Sequence, residues 1–286
     1  SVVELLLKAD GVDVNKEREG GATPLYIAAS KGHTSVVELL LKADGVDVNK
    51  GDEDGWTPLL WAAREGHSSV VELLLKADGV DVNKAREDGT TPLYIAAFQG
   101  HTSVVELLLK ADGVDVNKGN NNGETPLFIA ASEGHTSLVE LLLKADSVDL
   151  NKAREDGMTP LDFAAREGHT SVVELLLKAD GVDVNKEKDN GWTPLYIAAR
   201  EGHTSVVELL LKAGDLNTIL ANFDKRALLS VGLSLPFLQL LFDADKSVFE
   251  ECASEAVVAA AKKGQSECLR FLFEKGLCIE QCASEA

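Results

Sequence analysis

The apolar positions of this chain recur in one fixed phrase. S-[VL]-V-E-L-L-L-K starts at Ser1, Ser35, Ser69, Ser103, Ser137, Ser171 and Ser205, each 34 residues after the last. A second phrase, T-P-L-x-x-A-A, starts at Thr23, Thr57, Thr91, Thr125, Thr159 and Thr193 with the same step, and a Gly-His pair separates the two. A fixed period of this length predicts a solenoid, in which each unit buries its apolar face against its neighbours. Positions constant across copies serve the fold, and positions that vary are where units can differ in function.

One copy, Gly51 to Lys84, shows the elements. Asp52-Glu53-Asp54-Gly55 is a polar turn. Thr57 is placed as a helix N-cap with Pro58 at the first helical position, so a first helix is predicted from about Pro58 to Glu65. Leu59, Ala62 and Ala63 share one side of it, and the alanines admit a close neighbour. Gly66 ends the helix and His67 turns the chain. A second helix is predicted from about Ser69 to Ala77, with Val70, Val71, Leu73, Leu74 and Leu75 as its stripe and Glu72/Lys76 as an i,i+4 pair. Asp78-Gly79 breaks it, and Val80-Asp81-Val82-Asn83 reads as a short extended stretch.

Thr57-Pro58-Leu59, Ala62-Ala63, Gly66-His67, Val70-Val71, Leu73 to Leu75 and Asp81-Val82-Asn83, preceded by Asp54-Gly55, fall in register with a known pattern. Residues 1 to about 214 resemble the ankyrin repeat. The resemblance implies an all-α solenoid of stacked helix-turn-helix units with projecting hairpin turns. Two departures stand out. The period is 34 instead of 33, and the histidine of T-P-L-H is replaced by Tyr26, Leu60, Tyr94, Phe128, Asp162 and Tyr196. The first should lengthen an outer loop; the second should remove a hydrogen-bonding imidazole and put larger side chains near the groove.

In domain terms, residues 1–16 read as the second half of a truncated repeat, 17–214 as six regular repeats and 215–286 as about two degenerate ones. In that last part Phe237 to Phe242 stands for one apolar helix. Val257 to Ala261, Gly264 and Cys268 to Phe273 mimic a whole helix pair. The chain opens in mid-repeat without Met and reads as a piece of a longer polypeptide.

Repetition also filters the candidate chemistry. Six histidines at one inter-helix turn are fold elements, since a catalytic histidine is usually unique. D-G-V-D-V-N lacks the ligand spacing of a calcium loop. Cys252, Cys268, Cys278 and Cys282 contain no C-x2-C pair, so zinc is not indicated, and they read as buried thiols. No nucleophile elbow, phosphate loop or dinucleotide fingerprint is present. No enzyme, cofactor or metal is therefore expected.

Variable positions remain. The fourth residue of T-P-L-x and the residue after A-A lie one helical turn apart, and the resemblance implies that such positions, with the residue before T-P, line a concave groove. The candidate partner-binding residues are Trp56, Leu60, Arg64, Tyr94, Phe98, Phe128, Met158, Asp162, Arg166, Trp192, Tyr196 and Arg200. Trp56 and Trp192 either bind or pack over the adjacent turn, and the sequence leaves both readings open. Trp61 reads as packing, and Asp162/Arg166 as a local helix pair. A net charge of −19 disfavours nucleic acid and anionic membranes and steers a basic protein or peptide towards the chain. The expected role is a monomeric, cytoplasmic protein-binding scaffold. The rival is a structural, elastic spacer within a larger multidomain protein.

Overall fold

Each Thr-Pro pair starts a helix for the reason its chemistry supplies. In this computed structural model Thr57 is extended, and its Oγ1 accepts the N–H of Leu60 at 3.2 Å. Pro58, which has no N–H to leave unsatisfied, opens the helix. The structure describes residues 2–7, 9, 11–186, 192–214, 235, 238, 239, 242, 253–262 and 264–275. Phe237, Leu240, Leu241, Cys252, Cys278 and Cys282 lie outside the described residues.

The chain divides into two units, Ser1–Glu155 and Asp156–Ala286. The first holds α1 (Val2–Leu7), α2 (Pro24–Ser30), α3 (Thr34–Leu41), α4 (Pro58–Arg64) and α5 (Ser68–Leu75). It continues with α6 (Pro92–Gln99), α7 (Thr102–Leu109), α8 (Pro126–Ser132) and α9 (Thr136–Leu142). The T-P-L helices α2, α4, α6 and α8 pack in one row, and α1, α3, α5, α7 and α9 pack in a second. Their core is the constant part of the phrase. Leu59, Ala62, Ala63, Val70, Val71 and Leu74 are buried, as are their counterparts Leu93, Ala96, Ala97, Val104, Val105 and Leu108. Burying each such leucine contributes about 1.5–3 kcal/mol.

The second unit holds α10 (Pro160–Glu167), α11 (Thr170–Lys178), α12 (Pro194–Glu201), α13 (Thr204–Ala213), α14 (Ala253–Lys262) and α15 (Ser266–Glu274). α10 packs on α11 and α12, and α13 on α11 and α12; α14 pairs with α15. In α14–α15 a glutamine takes the histidine's place with the same backbone geometry. Gln265 N–H donates to Ala260 O at 2.9 Å, as His169 N–H does to Ala164 O. Cys268, Phe271 and Leu272 are buried there, and burial pushes the Cys268 thiol above its ordinary pKa. The fold is an all-α solenoid, with no strand among the described residues.

Two residue types tie repeat to repeat. The rings of His67, His101, His135 and His203 reach back one repeat: Nε2 of His101 donates to Arg64 O at 2.9 Å, and that of His135 to Phe98 O at 3.0 Å. The ring lies against the preceding unit's turn glycine. A Cβ added to Gly66 (φ 73°) would sit 2.8 Å from the His101 ring. Asparagine reaches forward instead. Asn83 Nδ2 donates to Gly113 O at 2.7 Å, while its Oδ1 accepts Asp115 N–H at 2.8 Å. Asn15, Asn49 and Asn117 repeat both bonds.

This geometry corrects one expectation. Val80 to Asn83 is not extended: Lys84 N–H donates to Asp81 O and Asn83 N–H to Asp81 Oδ1, closing a turn. Asp81 competes for local backbone donors, as short acidic side chains do.

Candidate partner-binding face

The variable positions separate into two physical classes. Leu60 (0% exposed), Phe128 (1%), Asp162 (0%), Met158 (5%) and Tyr94 (8%) are interior, and Trp56 is nearly so at 9%. For these six the expectation of a groove-facing side chain is corrected by their burial, whereas Trp192 and Tyr196 are half-buried. The fourth residue is the third of its helix, directly under the threonine cap, and in two copies it reaches the next repeat's hairpin. Tyr26 Oη donates to Asp52 Oδ2 at 2.8 Å, and Tyr94 Oη to Glu124 Oε2 at 3.0 Å. In these copies a phenol supplies a cross-repeat hydrogen bond at the histidine's place. Burial, then the Asp52 hydrogen bond, pushes the Tyr26 hydroxyl up to about 12. Burial and the Glu124 carboxylate raise Tyr94 as well.

Asp162 and Arg166 do not read as each other's partner. Asp162 Oδ2 turns back to Thr159, accepting its N–H at 2.8 Å and its hydroxyl at 2.7 Å in a capping box. The Arg166 guanidinium lies 4.8 Å from the Phe163 ring centre and pairs with Glu167 at 3.3 Å. Arg200 is arranged alike, 4.4 Å over Trp192 and 2.6 Å from Glu201. Trp192 in turn packs on Tyr196, with centroids 5.1 Å apart. Arg166 and Arg200 thus share one local device: an arginine on an aromatic ring, with its charge met by the next glutamate.

The largest such cluster lies in the first unit. Trp56 and Trp61 rings approach to 4.7 Å, and Tyr26 meets Trp61 edge-on at 5.9 Å. Arg64 Cζ is 5.1 Å from Trp56 and 4.7 Å from Trp61, and Arg86 Cζ is 4.3 Å from Trp56. Three successive repeats contribute: Tyr26 from the first, Trp56, Trp61 and Arg64 from the second, Arg86 from the third. Trp56 is wall here, while the Arg64 and Arg86 side chains are 38% and 27% exposed. One residue of α6, the helix packed on α4, stands out: Phe98, 40% exposed. Sequence reading chose Trp56, Arg64 and Phe98 but passed over Arg86. The available signal was an arginine opening a hairpin turn one repeat after a tryptophan that precedes T-P.

The cluster supplies hydrogen-bond donors and aromatic area. Among the described residues no group of three or more His, Cys, Asp or Glu is placed to hold a metal ion. No described helix is long and apolar enough to cross a membrane.

A family described as Ankyrin repeats (3 copies) matches residues 1–86, 78–153 and 146–219. Among solved structures the chain is similar to the crystal structure of EF0377, an ankyrin repeat protein. The two are 29% identical with a TM-score of 0.62, and the match covers 68% of this chain and 98% of that one. No curated protein gives a significant match.

Proposed function

The chain belongs to the ankyrin-repeat family, whose repeats are generally protein–protein interaction modules, and we propose that it is a non-catalytic scaffold holding a protein or peptide partner. The contact surface proposed is the face that carries Arg64, Arg86 and Phe98. The observation that supports it is the cluster of Trp56, Trp61, Arg64 and Arg86. Tryptophan, tyrosine and arginine dominate binding hot spots, and rings packed against guanidiniums hold both in place before a partner arrives. The second unit offers a smaller copy in Trp192, Tyr196 and Arg200. A cytoplasmic, reducing setting suits the buried Cys268 thiol.

The test is selection of a displayed peptide library on the wild-type chain and on a doubly substituted Arg64→Ser, Phe98→Ser chain. Both sites are surface positions, so the fold should persist by circular dichroism. Sequences retained by the wild type and lost by the variant are the expected result. Identical recoveries would remove the face from consideration.

A second reading draws on the tether ladders. A run of asparagine and histidine bonds from repeat to repeat in the first unit suits a spacer that transmits force within a longer protein. A spacer would tolerate both surface substitutions and respond to cuts in the ladder.

A further inference from the structure

We infer that the Arg64–Arg86 pair is an anion receptor, and that the partner anchors there through the carboxylates of an acidic peptide segment. This rests on the binding reading above and names the chemistry of its anchor. Several cations of the first unit are already answered. Arg154 Nη1 donates to Glu124 Oε1 at 3.1 Å, Lys118 and Lys152 Nζ donate to the Asn83 and Asn117 carbonyls, and Lys50 pairs with Glu17 at 2.8 Å. Arg64 and Arg86 differ. Among the described residues Arg64 makes no hydrogen bond; its nearest carboxylate oxygen, Glu65 Oε1, is 3.7 Å from Nε. Arg86 has a long 3.4 Å contact with Asp88, and its Nε is buried with no acceptor among the described residues.

Both guanidiniums stack on one indole, that of Trp56. Stacking orients a planar fork and strips part of its water, leaving its N–H edges as the groups still to be satisfied. The fork geometry matches a carboxylate in two parallel hydrogen bonds, which are stronger than neutral ones. The carboxylates already nearby compete poorly. Glu65 and Asp88 side chains are 43% and 52% exposed, and loose exposed pairs contribute about 0–1 kcal/mol. A net charge of −19 favours a basic partner over the surface as a whole, so the acidic anchor proposed is local to these two guanidiniums.

The experiment uses dye-labelled peptides Gly-Leu-Glu-Glu-Leu-Gly and its Gln-Gln and Lys-Lys counterparts. Binding to the full chain is read by anisotropy and by the fluorescence of the tryptophans. About 0.15 M salt is used, where the Debye length of about 8 Å screens long-range repulsion but not contact. The Glu peptide should bind at least tenfold tighter than the other two. Arg64→Gln or Arg86→Gln should each remove most of that preference, while Arg154→Gln should not. Equal binding of all three peptides, no binding of any, or a Glu preference that survives both substitutions overturns the inference. Binding of the Gln or Lys peptide that Phe98→Ser abolishes would leave the binding face standing and refute only its acidic anchor.

Discussion

Asn83→Ala removes one rung of the asparagine ladder, and its cost follows from two bonds. Nδ2 to Gly113 O at 2.7 Å and Asp115 N–H to Oδ1 at 2.8 Å both disappear. Each is worth about 1 kcal/mol net, so the loop after α7 should be released by about 1–3 kcal/mol. Asn83 is half-buried, which lets water reclaim part of the loss and favours the lower half of that range. A repeat array need not unfold in one step, so a single global midpoint would blur the effect. Amide exchange reads it locally. Asp115 N–H should exchange roughly tenfold faster, about 1.4 kcal/mol, in Asn83→Ala than in the wild type. Asp81 N–H, held by Asn49 Oδ1 at 2.8 Å, should be unchanged in the same sample. If both amides accelerate together, or neither does, the asparagines are not independent rungs and the reasoning fails.

Other outcomes follow from single features. Ser147 stands at φ 64° where the equivalent repeats have glycine, so Ser147→Gly should raise stability by about 0.5–1 kcal/mol in thermal melts. Leu74→Ala should cost about 2–5 kcal/mol by urea titration, whereas Phe98→Ser, at an exposed site, should stay within about 0.5 kcal/mol. Tyr26 should ionise near pH 12 in absorbance at 295 nm, and Tyr26→Phe should delete that step. Because folding raises this pKa, the folded chain keeps the proton longer; the associated stability is intact below about pH 10 and is lost as pH climbs through 12.

Much of the fold was legible because each rule acts within one copy. Thr57 and Pro58 define a helix start by themselves, and Gly66 defines an end. The face was less legible, because its logic spans copies. A helical wheel places Leu60 and Arg64 on one side but contains no neighbouring hairpin, so it could not show that Leu60 is covered while Arg64 stays in contact with water. The V-D-V-N stretch was misread for a similar reason. Alternating valines argue for extension, yet Asp81 captures the next amides and Asn83 is needed one unit away.

Near-identical units raise a problem that their constant residues cannot solve, since every copy of the core fits every other. The residues that differ supply the missing information. Tyr26 reaches Asp52, Trp56 takes Arg86, Tyr94 reaches Glu124, and Glu124 takes Arg154, so the junctions so described carry different side-chain pairs. Asn121 adds backbone bonds to Glu87 and Asp88 at the third of them. Shifting the stack by one repeat would set Tyr26 against Arg86, and Tyr94 against Met158, breaking these hydrogen bonds at once. Variation in this chain therefore does two kinds of work. At interior positions it keys each repeat to its proper neighbour, and at Arg64, Arg86 and Phe98, which keep contact with water, it supplies the proposed binding face.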